Sequence, residues 1–247
     1  MRNPRIHTPQ SLAAGAEIRL EAEASQHLVQ VLRLRQGAEI ALFNGDGRDY
    51  PAVLLDAGKR ECKALVHAPG PEEPAAPLFI SLAIGISKGE RMDMVLQKAV
   101  ELGVSRITPL FTQRSQVQLA GERLEKRLAH WLGVMISACE QSGRRRLAGL
   151  SPAMALDRWL GAGQSGDLRL MLHPLGDETL STLAPPAAGQ VIELLIGPEG
   201  GLSERELELA SESGFRKTRL GPRVLRTETA PLAAIAAMQT LWGDFRD

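Results

Sequence analysis

The spacing of apolar and polar positions changes character once along the chain. Before residue 68 the apolar residues fall into short runs at 17–20, 39–43, 51–55 and 62–66. Runs of four or five residues bounded by turn formers predict β-strands rather than helices. Asn44-Gly45-Asp46-Gly47 divides the second run from the third and reads as a hairpin loop, since Gly and Asn accept the positive φ that tight hairpins require. One short helix is predicted across 25–32, with Ser25 as its cap. Short strands over about seventy residues predict a small β-barrel domain at 1–70. Residues 68–77 then carry Pro69, Gly70, Pro71, Pro74 and Pro77, a density that sustains neither helix nor central strand. Residues 71–77 are therefore assigned to a linker.

Past the linker, continuous apolar runs alternate with helical periodicity. Residues 78–84 form a run suited to a strand buried on both faces. Met92, Val95, Leu96, Ala99 and Val100 follow at helical spacing, and 106–110 reads as the next strand. Residues 122–141 carry Leu124, Leu128, Trp131, Leu132 and Met135 on one predicted stripe. Further buried strands are predicted at 168–172 and 191–196, and a short one at 218–220. A helix is predicted across 203–213, where Ser203 and Glu206 have capping-box spacing, and an alanine-rich helix across 229–242. Such alternation predicts an α/β domain with a parallel sheet at 78–247.

Composition narrows the class of protein. No apolar run reaches the roughly 18–20 residues of a membrane span, and Met1-Arg2-Asn3-Pro4-Arg5 introduces no secretory signal, so the expected compartment is the cytoplasm. Cys62 and Cys139 lack CxxC or metal-ligand spacing and are expected to be small buried hydrophobes; no metal is expected. Net charge is zero, with 29 basic and 29 acidic residues, but the balance is uneven. Residues 85–146 hold 11 basic against 6 acidic, whereas residues 147–247 hold 9 against 13. A basic middle segment can steer a polyanion, although solvated helix faces produce the same pattern.

Parallel sheets place ligands beyond the carboxyl ends of their strands, which directs attention to three loops. Gly197-Pro198-Glu199-Gly200-Gly201-Leu202-Ser203 follows the 191–196 strand. Its three glycines let backbone approach a ligand, and it runs into a capped helix whose first N–H groups have no intrahelical partner. A plain strand-to-helix turn would need only one glycine. The second loop runs from Leu220 to Ala230 and carries Arg226, Glu228 and two threonines; Thr227 or Thr229 could equally cap the last helix, with Pro231 in its first turn. The third is His173-Pro174, where a lone histidine is more often structural than catalytic. Gly161-Ala162-Gly163-Gln164-Ser165-Gly166 matches GxGxxG literally, but it follows a helix and precedes a strand, the reverse of the dinucleotide-binding context, and reads as a loop.

Taken together, Ile196 through Ser203 with Glu206, and Leu220-Gly221 through Leu225-Arg226-Thr227-Glu228-Thr229-Ala230, resemble the two signatures of the ribosomal RNA small subunit methyltransferase E family. These are bacterial 16S rRNA uracil-N3 methyltransferases of the knotted SPOUT superfamily. Ser87-Lys88 through Asp93, Lys98 through Val104, Arg114-Ser115 and Ala138 through Arg144 extend the resemblance over nearly the whole chain, as do His27, Val31-Leu32-Arg33, Gly37 and Asp46-Gly47. One departure is Arg145-Arg146-Leu147-Ala148-Gly149, where members of the family often carry a proline.

The resemblance implies a PUA-like barrel that helps hold RNA, followed by a SPOUT-type parallel-sheet domain with a C-terminal trefoil knot. The knot rests on the resemblance alone, because pattern reading gives an unknotted doubly wound sheet. It also implies S-adenosyl-L-methionine as cofactor, held by Leu172, His173, Ile196, Gly197, Pro198, Glu199, Gly200, Gly201, Leu220, Gly221, Leu225, Arg226, Thr227, Glu228, Thr229 and Ala230. The implied acceptor is N3 of one uridine, 1498, in 16S rRNA of the small ribosomal subunit, and the implied assembly is a homodimer. Arg226 is the candidate for stabilising charge on the uracil oxygens, and Glu228 the candidate proton acceptor. Arg5, Arg33, Arg35, Lys88, Arg91, Arg114 and Arg144 are the candidate RNA contacts. The cofactor loops leave the acceptor atom open, so another SPOUT activity on a ribose 2′-oxygen or a transfer RNA base, or a non-catalytic RNA-binding assembly factor, stays in view.

Overall fold

A computed structural model describes residues 3–246 except 59, 118, 164, 165 and 188. It divides into two compact units. The first comprises 1–74 together with Ile136–Leu147; the second comprises Ala75–Met135 and Ala148–Asp247. The linear sequence predicts one boundary near residue 70, whereas the N-terminal unit also takes in a segment far along the chain.

In the N-terminal unit, β1 (Arg5–His7), β2 (Glu17–Arg19), β3 (Glu39–Phe43), β4 (Tyr50–Ala57) and β5 (Cys62–Val66) form one sheet in the order β1-β3-β4-β5-β2. Pairing is antiparallel except between β1 and β3. Ile6, Leu28, Ile40, Leu42, Leu54, Cys62, Ala64 and Val66 form its core. The β3–β4 turn is built as its sequence requires: Gly45 and Gly47 adopt φ of 91° and 93°, and Asp46 accepts from the Arg48 N–H and the Tyr50 hydroxyl.

The predicted helix at 25–32 begins earlier and ends irregularly. Helix α1 spans Ala22–Gln26, with one π-helical turn over His27–Val31. Ser25 is therefore not a cap. It is fully buried inside the helix, where its hydroxyl donates to the Leu20 carbonyl and accepts from the Cys62 N–H at 2.8 Å. Strand β1 has no counterpart in the sequence pattern, because three residues carry too little periodicity to announce a strand.

In the second unit β6 (Phe79–Gly85), α2 (Glu90–Glu101), β7 (Arg106–Phe111), α3 (Gly121–Ser142), β8 (Gly149–Leu150), β9 (Met154–Ala155), α4 (Leu156–Gly161), β10 (Leu168–Leu172), β11 (Glu178–Thr179), β12 (Val191–Ile196), α5 (Glu204–Glu212), β13 (Arg216–Arg219) and α6 (Thr229–Trp242) follow one another, with the end of α3 belonging to the first unit. The sheet order is β11-β13-β10-β12-β6-β7-β8, with β9 also beside β7, and every pair is parallel. This is the α/β architecture that the alternation predicts.

The five apolar positions predicted for α2 are all buried. On α3, Trp131 and Met135 are buried, but Leu132 is 42% exposed, so the stripe is narrower than its spacing suggests. Ala83, Leu110, Leu195, Trp159, Leu207 and Phe215 pack α4 and α5 on one face, and α2 and α6 meet each other. The glycine-rich segment 161–166 does lie between a helix and a strand, as expected; Gln164 and Ser165 are outside the described residues, as are Met1 and Arg2.

Candidate active site

β13, β10 and β12 are consecutive neighbours in the sheet, so the loops leaving their carboxyl ends must converge. They enclose a cavity of about 350 Å³. From β12 it is lined by Ile196, Gly197, Pro198, Glu199, Gly200, Gly201 and Leu202; from β10 by Leu172, His173 and Pro174; and from β13 by Thr218, Leu220, Gly221, Arg223, Val224, Leu225, Thr227 and Ala230. Glu204 and Leu207 add the first turn of α5, and Arg114 enters from the loop after β7.

The β12 loop is shaped by close approach. A Cβ on Gly197 would lie 2.9 Å from the Gly201 carbonyl carbon and the Leu202 nitrogen, so the loop can close on itself only with glycine there. Gly201 adopts φ of 68° two residues before the helix cap. Ser203 then caps α5, accepting from the Glu206 N–H while the Glu206 carboxylate accepts from the Ser203 N–H, the capping box read from the sequence. From outside, the Glu199 carboxylate accepts from the Lys88 N–H and the Arg91 guanidinium, each at 3.1 Å. Burial pushes the Glu199 carboxyl up. The Lys88 and Glu199 N–H groups and Arg91 outweigh it, and its pKa lies below the ordinary carboxylate value.

Of the proposed cofactor residues, thirteen border this cavity; Arg226, Glu228 and Thr229 do not. The Arg226 side chain is 80% exposed and stands 4.0 Å from Glu228 Oε1, and Glu228 occupies the N-cap position of α6. Neither threonine caps that helix. The Arg226 carbonyl takes that place, accepting from the Thr229 and Ala230 N–H groups. His173 borders the cavity, with Nδ1 accepting from the Leu175 N–H in a local turn.

The structure separates the candidate RNA contacts. Arg33, Arg35, Lys88 and Arg114 are exposed. Arg5, also expected to contact RNA, is instead buried within the N-terminal unit. Its guanidinium is buried, donating to Asp49 and to the carbonyls of Cys139, Glu140 and Arg144, and it lies 4.5 Å over the Phe43 ring. Arg144 is half-buried and partnered, and Arg91 is tied to Glu199. Among the described residues there is no group of three or more His, Cys, Asp or Glu that could hold a metal, and no helix long and apolar enough to cross a membrane. Cys62 and Cys139 are both buried.

Residues 74–239 match the RNA methyltransferase domain family, and residues 20–66 match the RNA methyltransferase PUA domain. The chain belongs to the ribosomal RNA small subunit methyltransferase E family. The family member from Buchnera aphidicola (Acyrthosiphon pisum) is 32% identical over 98% of this chain and 95% of its own length. The Bacillus subtilis member is 29% identical over 94% and 93%. The methyltransferase E of Neisseria gonorrhoeae, solved bound to S-adenosyl methionine, is 40% identical with a TM-score of 0.90 over 99% of this chain and all of that one. A Legionella pneumophila protein solved with the cofactor SAM is equally similar in sequence, with a TM-score of 0.94 over 99% of this chain.

Pro174, Leu202, Arg223 and Val224, which lie in the three candidate loops but were not among the expected cofactor residues, also border the cavity, as do Glu204, Leu207 and Thr218, and Arg114 borders it where only an RNA contact was expected. Arg223 and Val224 stand inside the second signature, and Glu204 and Leu207 in the first turns of the capped helix, so motif position could have found them. Thr218 could not be found this way, since its place depends on β13 lying beside β10.

Proposed function

We propose that this chain transfers the methyl group of S-adenosylmethionine to N3 of uridine 1498 in 16S rRNA. The observation that carries this reading is the cavity at the carboxyl ends of β12, β10 and β13, walled by close-packed glycine backbone. Leu172, Ile196, Leu202, Leu207, Leu220 and Leu225 supply apolar walls for the adenine ring. Arg114 and Arg223 against Glu199 and Glu204 give the cavity both signs of charge, matching the carboxylate and ammonium of a methionyl tail. Two relatives solved with this cofactor, each aligned over 99% of the chain, support the assignment.

The sulfonium carries an electrophilic methyl group, so the chain's own residues must mainly bind and align it. Uracil N3 sits on the pairing edge and bears a proton, so the base must be unpaired and must lose that proton on attack. Negative charge then spreads onto the flanking carbonyl oxygens. Arg226, exposed within the second signature, stabilises that charge, and Glu228 takes the proton. The assembly is a homodimer in the cytoplasm, its C-terminal chain knotted around the cofactor, and Arg33, Arg35, Lys88 and Arg91 hold RNA phosphates.

Calorimetric titration with S-adenosylmethionine tests the cofactor, and mass spectrometry of 16S rRNA from a strain lacking the gene tests the acceptor. Micromolar binding and loss of one N3-methyluridine are expected. Absence of binding would end the proposal. Arg226→Ala should lower kcat by about 100-fold, the usual scale for losing one charge-stabilising donor, with the cofactor Kd within about threefold; equal losses in both would remove Arg226 from catalysis.

A further inference from the structure

A capping box needs one acceptor oxygen from its third helical residue, and glutamine serves as well as glutamate. Glu206 uses both oxygens. Oε2 accepts from the Ser203 N–H at 2.8 Å, closing the box at the end of the β12 loop. Oε1 accepts from the Gln113 N–H, also at 2.8 Å, ninety-three residues earlier in the chain. Glu206 is only 5% exposed, so its carboxylate finds its partners within the protein rather than in bulk water.

Gln113 belongs to a turn over residues 112–115 that is already closed on itself. The Ser115 N–H donates to the Thr112 carbonyl, and the Ser115 hydroxyl accepts from the Thr112 N–H. The next residue, Arg114, borders the cavity and donates from Nη1 to the Gly200 carbonyl at 3.1 Å. The two loops touch without clearance. A Cβ on Gly200 would lie 3.0 Å from Arg114 Cβ. One hydrogen bond leaves most of the guanidinium's five N–H donors for other acceptors.

We infer that Glu206 is a positioning residue for methyl transfer. By bonding the Ser203 and Gln113 N–H groups with its two oxygens, it joins the β12 loop to the 112–115 turn, so that Arg114 stands pre-set at the cavity to receive an anionic oxygen of the substrates. That oxygen belongs either to an RNA phosphate or to the cofactor carboxylate. The inference rests on the methyltransferase reading above. It also explains why glutamate rather than glutamine stands here: a glutamine amide at this position would point an N–H₂ donor at one of two N–H donors.

The test is Glu206→Gln, made alone and combined with Arg114→Gln. Glutamine still satisfies the capping box, so a residue that only caps α5 would leave activity unchanged. The inference expects kcat/KM for 16S rRNA in small-subunit particles to fall about 10- to 100-fold in Glu206→Gln. It expects the double variant to be no worse than Arg114→Gln alone. A rise in KM for RNA with the cofactor Kd unchanged assigns Arg114 to phosphate; a weaker cofactor Kd assigns it to the carboxylate. Hydrogen exchange provides a readout independent of turnover. Protection over 112–115 and 197–203 should drop together in Glu206→Gln, with the rest of the sheet unchanged. Activity within twofold of the wild type, multiplicative losses in the double variant, or unchanged exchange in the 112–115 turn would each overturn it. A wild-type protein that methylates nothing would instead defeat the broader reading, while the exchange experiment would still decide whether Glu206 couples the two loops.

Discussion

Gly197 shows how much of this site is decided by the absence of a single carbon. Its neighbours Gly201 and Leu202 sit where a Cβ would be, and the space they fill is backbone, which cannot rotate aside. Gly197→Ala should therefore push the loop outward and raise the S-adenosylmethionine Kd at least about tenfold, roughly 1.4 kcal/mol, with thermal stability nearly unchanged. Calorimetry beside a thermal melt checks this, and an unchanged Kd would mean that the loop relaxes without effect on the ligand. Glu199 makes a complementary point. A carboxylate bordering a ligand cavity stays ionised because two backbone N–H groups and Arg91 compensate its burial, so it serves as a fixed acceptor rather than a proton carrier.

Two elements carry charges that a buried strand or a small barrel would normally avoid. Glu193 stands mid-strand on β12, 5% exposed. Burial pushes its carboxyl pKa above the ordinary 4.5, opposed by the Gly166 N–H, Arg169 and Arg106. Between 4.5 and the raised value the folded protein holds a proton that the unfolded chain has released, so stability is lost as pH rises through that window. Glu193→Gln should flatten this limb, melting closer to the wild type at pH 4 than at pH 8, where it should be the more stable. Scanning calorimetry over pH would show it, and parallel curves for the two proteins would contradict it. In the N-terminal unit, Arg5 on β1 binds the Cys139 and Glu140 carbonyls at the end of α3, the Arg144 carbonyl just beyond it, and Asp49, which also pairs with Arg145. Arg5→Ala leaves three carbonyls without this donor and Asp49 with Arg145 alone, and should destabilise by about 1.5–3 kcal/mol, the scale for losing hydrogen bonds to a charged group. Arg5→Lys should restore little, because one ammonium cannot reproduce a planar fork of donors. Urea unfolding measures both.

For the molecule as a whole, net charge is zero, so RNA affinity must come from local clusters rather than from the overall field. The exposed cations assigned to phosphates, Arg33, Arg35, Lys88 and Arg91, lie in both units. If they neutralise about four phosphates, the logarithm of RNA affinity should fall against the logarithm of salt with a slope near −3 to −4. Replacing Arg33 and Arg35 by alanine should reduce that slope by about 2 if both contact phosphate. Filter binding from about 50 to 300 mM salt tests this, and a flat dependence would assign recognition to other contacts.

Most elements were legible because their signals are local. Strands β3, β5, β10 and β12 and helix α6 fall on the residues that periodicity picked, and Ser203 and Glu206 form the capping box that their spacing announced. The glycine loop and part of the second signature could be picked out too, and they border the cavity, since a backbone that closes tightly on itself requires residues without side chains at fixed places. What the sequence left hidden depends on partners distant in the chain. Arg5 read as a surface cation because nothing near it reveals Asp49 or the α3 carbonyls, and Ser25 read as a cap because its acceptor role toward Cys62 crosses the N-terminal unit. The second bond of Glu206 is invisible for the same reason. Local chemistry along the chain determined which turns could hold a ligand, whereas only the folded sheet, by placing β10 between β12 and β13, decided that those turns would share one cavity.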